Sequence, residues 1–272
     1  VKNWSKIILY AALGLAVLVL WVIVTMKKDQ QLIQKPEIIV HVEGKDAMVN
    51  EVEINDRLMM ARAYDTKRSI DDLDILNIEK LIRGMEEVKD VQVYTLLGGN
   101  WTIEVWLRHP IARIFNANGN SYYIDSEGYT VKKTNLHVAK VLPISGYFNE
   151  PLHHQSVSRI INNDSLKNIR KLDDAFHISK YVCNDPVLKL LIGQVYLDEH
   201  GDFILIPIVG DQKIIFGSAE SENAVENKCK RLVIFYQEAL PYEGWNKYAE
   251  INLKFDGQVV SKLKTWEKIA EK

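Results

Sequence analysis

Val88-Lys89-Asp90-Val91-Gln92-Val93-Tyr94, followed past the turn Leu97-Gly98-Gly99-Asn100 by Trp101-Thr102-Ile103-Glu104-Val105-Trp106-Leu107-Arg108, is the stretch from which the fold is read. In its second half Trp101, Ile103, Val105 and Leu107 share one side of an extended chain, and Thr102, Glu104, Trp106 and Arg108 share the other. That is the period of a strand with one buried face. The Gly-Gly-Asn turn folds the two runs into a hairpin. Upstream, Asn77 is expected to cap a helix that spaces Ile78, Leu81, Ile82 and Met85 along one stripe, and Asn50 with Glu53 has the form of a capping box ahead of Ile54, Leu58 and Ala61. Ile38, Val40 and Val42 alternate with Ile39, His41 and Glu43 in a first strand that Gly44 closes. Strand, helix, helix, strand, strand in about 70 residues buries every stripe at once as a three-stranded sheet with two helices on one face.

The N-terminal run Ile7 to Met26 carries no charge. At ~1.5 Å per helical residue it would reach about 30 Å, so a single transmembrane helix is expected there. A cleaved signal peptide is the rival, with Lys2 and Lys6 as its basic flank. The apolar run is longer than the roughly 7–15 residues such segments use, and Thr25-Met26-Lys27-Lys28 is no cleavage site. Lys2 and Lys6 on one flank balance Lys27 and Lys28 on the other, so charge does not orient the helix. The remaining length, about 240 residues, divides into two domains.

The second domain reads as a mixed sheet with two helices. Asp164 caps a helix bearing Leu166, Ile169, Leu172 and Phe176, and Asn184-Asp185-Pro186 ends it. Strands follow from Leu190 to Leu197, Phe203 to Val209 and Gln212 to Phe216, with Pro207 marking an edge or a bulge. A long helix then turns Val225, Cys229, Leu232, Val233, Tyr236 and Leu240 inward. Tyr248 to Phe255 and Gln258 to Leu263 form the last hairpin around Asp256-Gly257, a strong two-residue turn signal.

A formal net charge of −2 argues against a nucleic-acid footprint. The two cysteines, Cys183 and Cys229, are too few for a disulfide framework; they are buried thiols or one pair. Nucleophile-elbow, zinc-protease, phosphate-loop and Cys-x-x-Cys patterns are missing, and His153-His154 reads as a solvated loop. Asp125 either serves as a general base or closes the Ser126-Glu127-Gly128 turn with its own backbone, and the turn is favoured. Glu86-Glu87 and Asp71-Asp72 read as solvated carboxylates at helix ends. No catalytic residue, metal, cofactor or small-molecule substrate is expected. Trp106 beside Arg108 is a candidate interface on the first domain, or packs under its neighbour. The strand from Gln258, polar and β-branched without Pro, is an edge able to accept a partner strand, unless 265–272 shields it.

The strand-helix-helix-strand-strand order resembles a POTRA domain. The runs His109-Pro110-Ile111-Ala112-Arg113-Ile114, Ser121-Tyr122-Tyr123-Ile124-Asp125-Ser126-Glu127-Gly128, Leu142-Pro143-Ile144-Ser145-Gly146 and Tyr248 to Val260 together resemble the FtsQ/DivIB family. The class expected is α+β: a single N-terminal transmembrane helix, a POTRA domain (βααββ), then a mixed-sheet β domain with two helices. Its parts are a short cytoplasmic tail 1–6, the membrane helix 7–26, a stalk 27–36, the POTRA domain 37–109, the β domain 110–263 and a charged tail 264–272. The resemblance implies a non-enzymatic, single-pass scaffold of the cell inner membrane. Its folded part would be periplasmic and enriched at the division septum, touching membrane lipid. It implies direct binding of FtsB and FtsL and a link to the FtsW/FtsI synthase. The partner strand would contact Phe255, Gln258, Val259, Val260, Ser261 and Lys262. A membrane-anchored cell-envelope hydrolase and a POTRA-containing assembly factor are the alternatives, though the chain has no room for the β-barrel of the latter.

Overall fold

The computed structural model describes residues 4–28, 31–44, 47–96, 98–132, 138–148 and 171–264. Contacts divide the chain into two compact units, Val1–Leu107 and Arg108–Lys272. Helix α1 covers Trp4–Lys28, and its apolar side chains from Ile7 to Val22 are exposed. Among the described residues, however, no helix is long and apolar enough to cross a membrane. The transmembrane helix expected over 7–26, and the single-pass topology built on it, are corrected accordingly.

In the first unit β1 (Glu37–His41), α2 (Glu51–Met60), a 3₁₀ turn (Ile70–Asp72), α3 (Ile75–Arg83), β2 (Val88–Thr95) and β3 (Trp101–Leu107) follow in the expected order. β3 lies centrally, parallel to β1 and antiparallel to β2. Ile54 and Leu58 of α2 and Ile78 and Ile82 of α3 bury against Val91, Trp101, Ile103 and Val105. The Trp101 indole N–H donates to the Gln34 carbonyl (2.7 Å), and Tyr64 packs edge-on against its ring. Asn50 accepts from the Glu53 amide (2.9 Å) as a cap should, but the Glu53 carboxylate turns to Arg57 rather than back to Asn50. Ala61, expected on the buried face, is the exposed C-cap. The cap of α3 is Asp74, which accepts from the amide of Asn77 (3.0 Å), so Asn77 lies inside the helix. A carboxylate one turn earlier suits the positive end of the helix better than a neutral amide.

The second unit is built on a nine-stranded mixed sheet in the order β12-β11-β10-β9-β8-β7-β4-β5-β6. Its strands are β4 (Pro110–Phe115), β5 (Ser121–Asp125), β6 (Thr130–Lys132), β7 (Leu142–Gly146), β8 (Ile192–Leu197), β9 (Phe203–Pro207), β10 (Lys213–Gly217), β11 (Tyr248–Asn252) and β12 (Val260–Leu263). Adjacent registers align Tyr122, Ile114, Ile144, Val195, Leu205, Ile214 and Ile251 in one row across seven strands. All of them are buried. Helices α4 (Leu172–Asn184) and α6 (Glu222–Ile234) pack on each other and share this core. The part of the first expected helix that carries Asp164, Leu166 and Ile169 lies outside the described residues, while Leu172 and Phe176 are buried on α4.

Three local expectations shift. Asp185 accepts from the Val187 and Leu188 amides (both 2.9 Å) just ahead of a short helical turn α5 (Leu188–Leu191), so β8 starts at Ile192 rather than Leu190. Pro207 lies at the end of β9, a central strand, and faces Ile192 beside a register break that leaves Gly193 as the extra residue. Pro207 thus marks the bulge, and its missing donor falls where the ladder is already interrupted. The long last helix contains a π turn (Phe235–Ala239) before α7 (Leu240–Glu243), and it keeps Val225, Cys229, Leu232, Tyr236 and Leu240 on the core side.

Cys183 and Cys229 are free thiols. Burial pushes the Cys229 thiol up to about 12. Cys183, also raised by burial, donates its S–H to the Ile111 carbonyl (3.2 Å). Cys229 in the native protein is therefore expected to resist iodoacetamide through pH 9, as read by mass spectrometry, and to react once urea unfolds the chain. The native state holds this proton more tightly than the unfolded one. The stability it contributes is complete below the ordinary thiol value and declines as pH rises from there toward 12. A second expectation concerns Gly146, which has φ +120° and where a Cβ would lie 2.1 Å from the Leu197 carbonyl oxygen. Gly146→Ala should lower stability in urea unfolding by at least about 2 kcal/mol. Gly119→Ala, at φ +79° in open space, should cost about 1 kcal/mol.

Candidate partner-binding edge

β12 ends the nine-stranded sheet, and all four of its residues are exposed. It pairs antiparallel with β11 alone: Asn252 faces Val260, Ile251 faces Ser261 and Glu250 faces Lys262. Val260 and Lys262 therefore lie on the sheet face of Ile215 and Lys213, while Ser261 continues the row of Ile214 and Ile251 on the helix side. At the opposite edge, β6 buries Val131. Among the described residues the outer rim of β12 has no strand against it. The tail 265–272, the shield that the sequence offers, lies outside the described residues.

Of the six residues expected at this contact, Phe255, Gln258, Val260, Ser261 and Lys262 are exposed, and Val259 is half-buried against the core. The hairpin around them is wider than expected. Strand pairing stops at Asn252 and Val260, and 253–259 form a loop in which Gly257 has φ +72°. Three cations hold this loop and the chain after β12. The Arg231 guanidinium donates to the carbonyls of Leu253, Phe255 and Gln258. Lys254 reaches Asp202, and Lys264 reaches Asp211, whose carboxyl is held below its usual range by that contact. Sequence spacing gives no sign of these residues, because each partner lies far away along the chain.

Trp106 is half-buried and stacks on His41 (4.9 Å between centroids, 15° between planes). The two line a cleft of about 290 Å³ with Val42, Glu43, Lys89, Asp90 and Leu107. Close by, Glu104 accepts from the Tyr94 hydroxyl (2.6 Å) and contacts His41 (3.3 Å), and both hold its carboxyl low. Arg108 is committed within its own unit: it donates to Asp125 (2.8 Å) and lies over the Tyr129 ring (4.4 Å).

Asp125 is 1% exposed, and its carboxylate also accepts from the amides of Glu127 (3.0 Å) and Tyr129 (2.6 Å). Burial pushes its carboxyl up, opposed by the Tyr129 amide, Arg108 and the Glu127 amide. Tied in this way, it closes the turn. Glu87, expected in solvent, is instead buried and paired with Arg57, because α2 lays that guanidinium over the start of β2. Among the described residues no group of three or more His, Cys, Asp or Glu is placed to hold a metal ion, and His153-His154 fall outside them.

A family model described as FtsQ/DivIB, C-terminal related, matches residues 109–262. The chain belongs to the FtsQ/DivIB family. The match begins just before β4 and ends within β12, so it takes in the whole nine-stranded sheet up to its exposed edge. FtsQ/DivIB proteins are cell-division proteins, found in division-protein complexes and associated with the division septum. No match was found among curated proteins.

Removing Arg108 would leave the Asp125 carboxylate buried without its cation. Arg108→Ala is expected to lower stability by about 3 kcal/mol, read from the shift of the urea midpoint.

Proposed function

We propose that this FtsQ/DivIB protein is a non-enzymatic scaffold of the divisome that captures FtsB, paired with FtsL, as an added strand on β12. It thereby links early assembly to the FtsW/FtsI synthase. One observation carries the proposal: the sheet ends in a short strand whose residues are all exposed and whose outer rim is unpaired among the described residues. Backbone N–H and C=O groups on such a rim give affinity to an incoming strand, and alternate side chains give it specificity. Val260 and Lys262 present one apolar and one cationic position to the outer face, and Ser261 a small polar one to the other. Phe255, 49% exposed in the adjoining loop, is suited to anchor the partner beyond the paired segment. We assign the first unit as the POTRA domain, supported by its βααββ order, and Trp106 with its stacked His41 as its contact surface.

Successive amides of a strand point to opposite edges, so Val260→Pro and Ser261→Pro remove one inward and one outward donor between them. In calorimetric titration with an FtsB–FtsL complex, the outward-facing variant should bind at least about tenfold more weakly, a loss of one or two hydrogen bonds. Its circular dichroism should stay unchanged. Wild-type affinity in both variants would reject β12 as the capture site.

A further inference from the structure

We infer that Arg231 is the positioning residue that selects the register of the edge strand β12, and with it the face on which Val260 and Lys262 are presented; this rests on β12 being the capture site.

Arg231 lies in the last turns of α6, and its Nη1 donates to the carbonyls of Phe255 (2.5 Å) and Gln258 (3.1 Å) while Nη2 donates to that of Leu253 (3.3 Å). One turn earlier on the same stripe, the Lys228 ammonium donates to the carbonyls of Phe216 (3.0 Å) and Ser218 (2.7 Å). These carbonyls lie at and just past the ends of two parallel neighbours, β10 and β11. A single helical stripe therefore grips the chain where both strands finish. The planar guanidinium is suited to this work, since its rigid fork of donors fixes several acceptors at once. Lys254 adds a brace: its stem crosses Gly217, where a Cβ would lie 2.7 Å from Lys254 Cγ, and its ammonium reaches Asp202.

Local turn chemistry favours a different arrangement. Asp256-Gly257 is a strong two-residue hairpin signal, and a turn closed there would set Phe255 against Gln258 and, further along, Asn252 against Ser261. In the structure Asn252 faces Val260 instead. The two arrangements differ by one residue, and a one-residue slip turns every side chain of a strand to the other face. In the slipped state Val260 and Lys262 would point to the helix side and Ser261 outward. The observed register needs a wider loop, with the carbonyls of Leu253, Phe255 and Gln258 satisfied away from any ladder. Arg231 supplies that satisfaction.

The test uses the full chain and two readouts. Asn252→Cys paired with Val260→Cys should oxidise readily to a disulfide when Arg231 is present, and Asn252→Cys paired with Ser261→Cys should not. In an Arg231→Gln background the first pair should lose crosslinking severalfold and the second should gain it. Hydrogen exchange over 253–263 should quicken while β4 to β9 stay protected, which separates a moved edge from an unfolded domain. Arg231→Lys, which keeps the charge but loses the fork, should restore the first pair in part. An unchanged crosslinking pattern in Arg231→Gln overturns the inference. The second readout is binding of an FtsB–FtsL complex, expected to weaken about tenfold in Arg231→Gln, the scale of one or two hydrogen bonds. A shifted pattern with unaltered binding would uphold Arg231 as the register selector and count instead against β12 as the capture site.

Discussion

The row of apolar side chains that crosses the large sheet from Tyr122 through Ile114, Ile144, Val195, Leu205 and Ile214 to Ile251 is the constraint on which the rest of the second unit depends. Each of these residues is at most 1% exposed, and removing such a row from water is the dominant favourable contribution to the fold. Helices α4 and α6 supply the cover. The row continues onto β12 as Ser261, a small polar residue that gains little from burial. The sheet thus ends where its apolar face runs out, with a strand held mainly by backbone pairing and by contacts to the loop before it. Edge strands of this kind are usually blunted. Here Lys262 provides one charge and the short length of β12 provides the rest, which leaves a rim suited to controlled pairing.

Parallel pairing has a second consequence. β10 and β11 run side by side in the same direction, and parallel neighbours require a crossover, here α6 with its π turn. The crossover helix must lie over the strands it connects, so its polar stripe reaches their ends. Lys228 and Arg231 occupy that stripe while Val225, Cys229 and Leu232 face the core. One helix therefore anchors the core on one side and the terminal loop on the other.

Two buried carboxylate–arginine pairs hold the fold together. Asp125 with Arg108, and Glu87 with Arg57, each combine burial with several hydrogen bonds, the condition under which a buried carboxylate is tolerated. Three hydrogen bonds, from two backbone amides and a guanidinium, tie the Asp125 carboxylate to its own turn and to Arg108. The elevated carboxyl of Asp125 therefore reports burial.

Sequence by itself determined the elements whose stabilisation is local or periodic. The βααββ order of the first unit, the buried stripes on β3, α3 and α6 and the turn closed by Asp125 all follow from side-chain period and short-range hydrogen bonding. The motif order from His109 to Val260 was enough to place the family. Only the tertiary structure decided features that rest on groups distant along the chain, such as the burial of Glu87 against Arg57 of α2. The same holds for the seven-strand alignment and the width of the last hairpin. There the local preference of Asp256-Gly257 yields to three carbonyl bonds from Arg231, because several bonds made by one guanidinium outweigh the modest gain of an ideal two-residue turn.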